Sequence, residues 1–557
     1  MPSTSSHDNP TAHGSAAWVS PAQAGLTPRT PAGKPILALG DAGGGLFRPR
    51  RTWGIATWPT GRNWIVLGPP RSGKGAGFFV PALLEASDHD PRPTLVATDP
   101  KGELLALAGP VLTAAGYAVH PVAFDRPDLS GPWNPMGWLD PVVGAPQDAP
   151  DYGAVAALAA AMAPKTAAEK DPFWGNQAQV VIKTSAVLAW HLARRRGARA
   201  TLVDVLALAY GMVGNESLVH AVADAALTID PWAASQLAVY GRGLGDARLA
   251  GNLAADLSAR IHSWTTPSML GVLDAPPDAW DAAAILGDDQ PHAVFVLAVA
   301  GQSSEQAVLW GSVIAAAHRI QRRQNRLSRP LWLLLDEVGN VGRIPGLADA
   351  LATLPGAGVS LVLGLQALPQ LAATYGQDEA RALLGAVHGY VALPGLGQES
   401  AEWVSKGLGS ATVAHHKRST SGQGAAQWDT QIGQRALLLP DEVSRLAADR
   451  LIVHRSGSGP TALRMRPYYA DPRWAAQAKI ADPVHPQIAE ALAAYQAAHD
   501  RPAPPGLAQR VTELFAEMGL GEGEPAEDAE PEADEAEPVD ETDATPVVKK
   551  TWSVPLG

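Results

Sequence analysis

The chain has 557 residues, enough for more than one domain and for a large buried core. It contains no cysteine, which excludes a disulfide framework, a cysteine metal site and a thiol nucleophile. The formal net charge of −12 is unevenly placed: residues 522–543 hold twelve acidic side chains and no basic one, while the chain up to Gly521 carries 43 acidic residues against 41 basic. Global charge therefore excludes neither nucleic acid nor any other partner, because only a channel lining must track phosphates.

Residues 1–33 are rich in Ser, Thr, Pro, Gly and Ala and lack the apolar stretch of a membrane span or a signal peptide. They read as a disordered arm running to about residue 45. The protein is expected to be soluble and cytoplasmic, reaching the cytoplasmic face of a membrane only through a partner.

Trp64-Ile65-Val66-Leu67 fits a fully buried strand of a parallel sheet. Directly after it stands Gly68-Pro69-Pro70-Arg71-Ser72-Gly73-Lys74-Gly75, with the Gly-x-x-x-x-Gly-Lys spacing of a phosphate-cradling loop. Gly68 and Gly73 let the backbone turn its N–H groups inward, and Lys74 can reach the β- and γ-phosphates. The run Gly75-Ala76-Gly77-Phe78-Phe79 can open a helix whose N-terminus favours anions. Gly75 departs from the pattern, since Ser or Thr there normally offers a hydroxyl to magnesium. ATP and Mg²⁺ are the ligands this loop implies.

Further apolar runs at 94–97, 293–299, 331–335, 360–365 and 451–453 alternate with helical or turn-rich stretches. That alternation predicts an α/β fold with a mostly parallel sheet, its ligand lying beyond the carboxyl ends of the strands. Asp99-Pro100-Lys101 ends one such strand, facing the pocket or forming a solvated turn. Residues 151–285 are rich in Ala, Leu and Val at helical spacing, with a capping-type start at Thr201-Leu202-Val203-Asp204, and read as an inserted all-α domain. Gly153 to Ala163 reads as a buried helix. Arg194-Arg195-Arg196 and Arg199 are either a DNA contact or a solvated helix end.

Leu331-Trp332-Leu333-Leu334-Leu335 runs into Asp336-Glu337. Two carboxylates closing a buried strand place Asp336 in the magnesium shell, through water, and make Glu337 the general base that orients the attacking water. Gln366 is the amide that ends the strand 360–365, either as a sensor of the γ-phosphate or as a cap of the next turn. Lys74, Asp336, Glu337 and Gln366 are thus the expected catalytic set. Residues 409–431 read as a polar loop too long and glycine-rich for a simple hairpin, with His415-His416-Lys417-Arg418 able to touch a nucleic-acid strand. Near the end, Val511, Leu514, Phe515 and Met518 fall on one helical face, a docking element for a partner or for the protein's own domain. Residues 521–557 read as an acidic disordered tail.

TDPKGEL (98–104), WNP (133–135), DPFW (171–174), DEVGNVGRIPGL (336–347), SLVLGLQALPQLAATYG (360–376) and RALLLPDEV (435–443) together resemble the TraG/TraD-type coupling proteins of type IV secretion and conjugation, over roughly residues 50–470. The resemblance implies a RecA-like motor of residues 46–150 and 286–475 carrying the all-α insert 151–285, followed by a helical extension 476–520. It further implies a homo-hexameric DNA-translocating ATPase that brings a relaxase–DNA cargo to a secretion-channel ATPase or membrane component. In such a ring a trans-acting arginine assists hydrolysis; Thr353 to Gly358 offers none, which leaves Arg343 and Arg435 as candidates. Two other readings stay open: a soluble FtsK/HerA-type DNA motor without a secretion channel, and a nucleotide-dependent receptor that hydrolyses weakly.

Overall fold

The computed structural model describes residues 14–28, 36–42, 51–56, 60–131, 133–141, 146–164, 171–275, 279–297, 301–420, 426–472, 474, 493 and 506–520. Its strands, in chain order, are β1 (Thr27–Pro28), β2 (Ile36–Ala42), β3 (Arg51–Ala56), β4 (Trp64–Leu67), β5 (Thr94–Thr98), β6 (Ala118–Val122), β7 (His292–Val296), β8 (Leu331–Leu335), β9 (Val359–Leu365), β10 (Gly389–Ala392), β11 (Ser410–Thr420), β12 (Ala426–Ala436), β13 (Arg450–Arg455) and β14 (Thr461–Arg464). Twelve of them form one sheet in the order β1-β3-β2-β14-β13-β10-β4-β9-β8-β5-β7-β6. From β10 to β6 every pairing is parallel. From β10 outward through β13 to β1 every pairing is antiparallel.

The parallel strands are mostly apolar because both faces of the central ones are covered. β4, β5, β7, β8 and β9 are buried at every position. Alternation along β4 sends Ile65 and Leu67 into one core and Trp64 and Val66 into another on the opposite face. The first core continues without interruption into the helical insert, so motor and insert share packing.

The insert lies between β6 and β7, around a 23-residue helix Phe173–Arg195. Thr201 and Asp204 form the expected capping box, the Thr201 hydroxyl accepting from the Asp204 N–H and the Asp204 carboxylate from the Thr201 N–H. The Trp-Asn-Pro phrase is a joint: Trp133 is fully buried, and Asn134 accepts from the Met136 N–H while donating to the Ala200 carbonyl. Tyr152–Met162 is the buried helix expected there. Among the described residues no helix is long and apolar enough to cross a membrane.

Two expectations are corrected, and two pairs of alternatives are narrowed. Residues 14–28 and 36–42 do not belong to a disordered arm: β1 and β2 lie in the sheet, and Ala16 N–H donates to the Ser410 carbonyl at 3.0 Å. Residues 410–436 are a regular antiparallel hairpin of β11 and β12, in register from Ser410↔Ala436 to Thr420↔Ala426. Thr412, Val413 and Ile432 in these strands favour that conformation, against the glycine-rich composition of the segment. The apolar face of helix Leu507–Glu517 follows the second of its two readings and packs on the protein's own domain: Leu514 and Phe515 are buried against helix Leu202–Gly211. Gly211 permits this, since a Cβ there would lie 2.4 Å from Phe515. Burial of these two side chains contributes roughly 1.5–3 kcal/mol each.

The arginine cluster is also spoken for. Arg194 lies over the Trp190 ring, Arg195 donates to the Thr228 carbonyl, Arg196 pairs with Glu517 at 2.5 Å and Arg199 pairs with Asp281. These contacts tie the end of the long helix to its surroundings, and all four arginines remain exposed, as a solvated helix end requires. The side chains of residues 415–431, and residues 521–557, lie outside the described residues.

Candidate nucleotide site

Four strands, β4, β5, β8 and β9, end side by side, and their carboxyl ends form the floor of a cleft. The loop Gly68–Gly75 leaves β4 here. Gly68 N–H donates to the Leu365 carbonyl at 3.0 Å, which anchors the loop to the end of β9. The chain then turns through left-handed conformations at Arg71 (φ 64°) and Gly73 (φ 94°). Gly73 takes that conformation without strain, while at Arg71 a side chain is held in a sparsely populated region, as happens at ligand-binding loops. A helical turn Gly75–Phe79 follows and runs into helix Val80–Ala86, so its N-terminal N–H groups point at the cleft.

Lys74 reaches back across the loop. Its Nζ donates to the Gly68 carbonyl at 2.5 Å and lies 3.9 Å from a Glu337 carboxylate oxygen. Burial lowers its pKa, against the raising effect of Glu337 and Asp336. A largely buried ammonium with so little direct pairing is set up to receive an anion.

The acidic side of the cleft comes from β8 and β5. Asp336 N–H donates to the Thr98 hydroxyl at 2.8 Å, joining the ends of these strands. Burial pushes the Asp336 carboxyl up to about 6; Lys74 opposes this and Glu337 adds to it. Burial likewise raises Glu337, against hydrogen bonds from Gln366 and Gln370 and the charge of Lys74. Asp99 is fully buried and pushed up to about 7 by burial, although its carboxylate accepts from the Leu105 N–H at 2.7 Å and so starts helix Glu103–Ala114. Of the two readings of Asp99-Pro100-Lys101, the pocket-facing one is correct, with Asp99 also holding a helix.

The turn after β9 is capped by Gln370, whose side-chain oxygen accepts from the Gln366 and Ala367 N–H groups at 3.0 and 3.2 Å. The Gln366 side chain lines the cavity beside Glu337, which brings the end of β9 next to the carboxylate expected to act as base.

Together Pro69, Arg71, Lys74, Asp99, Asp336, Glu337 and Gln366 line a cavity of about 620 Å³. Pro70, Gly73 and Gly75 also reach it, while Ser72 lies behind the loop. Two buried oxygens of the lining, Asp336 Oδ1 and Glu337 Oε1, have no hydrogen-bond partner within the protein. Buried polar atoms without partners are costly, so donors or a cation supplied by a ligand fit this set. A larger cavity of about 690 Å³ lies between helices Tyr152–Met162 and Ser303–Gln324. It touches none of the phosphate-loop or strand-end residues, so the chemistry belongs to the smaller one.

Arg343 and Arg435 do not line the cleft of their own chain. Arg343 pairs with Glu379 and Arg435 with Glu442, each at 2.6 Å and each exposed. Sequence reasoning missed Thr98, Asn340 and Tyr469. Thr98 carried a signal, a hydroxyl closing an apolar strand one residue before Asp99, and Asn340 lies in the turn that follows Glu337; Tyr469 reaches the cleft through tertiary folding alone.

The sequence pattern of the family described as type IV secretory system conjugative DNA transfer matches residues 43–236 and 294–492. The chain belongs to that family. Its unmatched interval falls across the later helices of the insert and β7. The chain is 26% identical over 552 residues to the conjugal transfer protein TraG of Escherichia coli, covering 86% of this chain and 80% of that one. It is 25% identical over 421 residues to protein VirD4 of Rhizobium radiobacter, covering 73% and 57% respectively. Its fold is that of the conjugative coupling protein TrwBdeltaN70 in its unbound form (TM-score 0.50, 16% identity, 73% of this chain and 85% of that one). It also matches the plasmid coupling protein TrwB in complex with the non-hydrolysable ATP analogue ADPNP (TM-score 0.51, 15% identity, 74% and 87%). The RecA-like α/β architecture and the place of the chain among the conjugative coupling proteins follow from these matches.

Proposed function

We propose that this coupling protein binds Mg²⁺–ATP in the cleft and hydrolyses it to move DNA, recruiting a relaxase–DNA cargo to a type IV secretion channel. The observation that carries the reading is the convergence of Lys74, Asp336, Glu337 and Gln366 on one cavity at the carboxyl ends of adjacent parallel strands. The N–H groups of the loop and the Lys74 ammonium would hold the phosphates. Asp336, with an unpartnered buried oxygen, would hold magnesium through water. The ion, when bound, neutralises charge on the transferring phosphoryl group. Glu337 would take the proton of the attacking water, and Gln366, beside it in the cavity, would report the state of that carboxylate to β9 and the helix beyond. The homo-hexamer, the relaxase and the channel component enter this proposal through the family resemblance, and the acidic tail is its candidate for cargo contact.

The test is ATP turnover with and without single- and double-stranded DNA, on the parent and on Lys74→Ala. Turnover stimulated by DNA in the parent, falling at least about a hundredfold in the variant, is expected. Equal turnover in the two proteins would remove the phosphate-loop assignment. A second reading, a nucleotide-dependent cargo receptor with weak hydrolysis, is favoured by Gly75, which offers no hydroxyl to magnesium, and by the ion pairs that engage Arg343 and Arg435. Tight nucleotide binding with negligible turnover, unaffected by DNA, would select it.

A further inference from the structure

The chain that leaves β14 crosses directly over the phosphate loop. Met465 lies against it: a Cβ added at Gly73 would come 2.6 Å from the Met465 sulfur, and one at Gly77 2.5 Å from Met465 Cγ. The next residue fixes this crossing. The Arg466 guanidinium pairs with Glu85 in the helix that follows the loop and with Asp471, and stands 3.9 Å from Asp41 on β2. Between these anchors the turn Tyr468–Ala470 presents two aromatic rings, edge to face at 5.4 Å. Tyr468 is buried. Tyr469 is 57% exposed and is the only aromatic side chain among the described residues that line the cleft.

We propose that Tyr469 is the platform on which the nucleobase stacks, a site distinct from the phosphate contacts and resting on the reading of the cleft as a nucleotide site. The ring is more than half exposed, and its one ring contact among the described residues is the edge-to-face one with Tyr468, on a turn that the three carboxylates around Arg466 brace. The cavity is large enough to take a nucleotide, and it extends from Lys74 to Tyr469. Stacking on an aromatic face is strong and tolerant of base identity, because every base has a π-face. The same turn sits on the phosphate loop through Met465, so base and phosphates are gripped by two parts of one braced assembly.

The experiment measures, at fixed Mg²⁺, the affinity of ATP and of inorganic tripolyphosphate for the parent, Tyr469→Ala and Tyr469→Phe. Tyr469→Ala should lose about tenfold or more in ATP affinity, and Tyr469→Phe should stay within about threefold of the parent. Tripolyphosphate, which lacks a base, should bind all three proteins alike and thereby show that the alanine variant keeps its loop. Unchanged ATP affinity in Tyr469→Ala, or equal losses for ATP and tripolyphosphate, would overturn the platform while leaving the nucleotide site standing. A parent that binds neither ligand would overturn both.

Discussion

Two regions of this molecule bury carboxylates, and they treat them in opposite ways. In the helical insert, Asp204 is held by Arg510, by the Thr201 N–H and by Arg196 at 3.9 Å. Asp230 accepts from Tyr152 at 2.6 Å, from the Ala233 N–H and from His191. Burial alone would raise the Asp230 carboxyl, but those hydrogen bonds hold it below the usual carboxylate range. In the cleft, Asp336 and Glu337 are buried with oxygens that no protein group satisfies, and burial raises both. Paired carboxylates hold the architecture together; unpaired ones await a ligand and cost stability until it comes.

That contrast can be broken in three places. The largest effect should come from Glu337→Gln, which keeps the shape of the side chain and removes the base. ATP hydrolysis should fall by about 10²-fold or more while nucleotide binding survives. Hydrolysis close to that of the parent in single-turnover experiments would strip Glu337 of its role. Next, Arg510→Ala takes away the principal partner of a fully buried Asp204 and should destabilise the protein by about 2 kcal/mol, read as a shift in urea midpoint, with turnover per folded molecule unchanged. Should stability hold, the docked C-terminal helix contributes nothing through this pair.

The smallest and most diagnostic change runs the other way. Burial raises Asp336 to about 6, so from about pH 4 to pH 6 the unfolded chain releases this proton before the folded one does. Stability of the ligand-free protein therefore falls as pH rises across that window, and Asp99, raised to about 7, extends the trend. Asp336→Asn, neutral at every pH, should stabilise the ligand-free protein at pH 7.5 by about 1–2 kcal/mol and flatten the decline. A less stable asparagine variant at pH 7.5 would show that Asp336 is an architectural carboxylate after all.

The sequence made the site legible where backbone chemistry is written in contiguous residues. The four apolar residues before Gly68, the loop spacing and the two acids closing β8 each need particular residue types at fixed positions, and each lies where expected. Gln366 was placed at a strand end correctly, but only the structure shows that Gln370, four residues on, takes the capping work and frees Gln366 for Glu337. What stayed hidden depends on partners far along the chain. Helix Leu507–Glu517 displayed its apolar face plainly, yet nothing local marks Gly211 as the surface that accepts Phe515. The arginines at 194–199 likewise look free until Glu517, Asp281 and Trp190 are brought to them. The hairpin of β11 and β12 is obscured by composition, because the glycines of the segment outweigh the β-branched residues of its strands.

The contact between Arg510 and Asp204 spans 306 residues. Ribosomes add roughly 5–20 residues per second, so the insert waits on the order of 15–60 s after its own helices emerge before the segment that seals Gly211 is made. Throughout that interval the groove beside Leu202–Gly211 is open and apolar, and the carboxylate at its base lacks its arginine. A nascent chain halted before Leu507 would expose both, which makes this groove the natural target for chaperones during synthesis and the first place where a truncated product would aggregate.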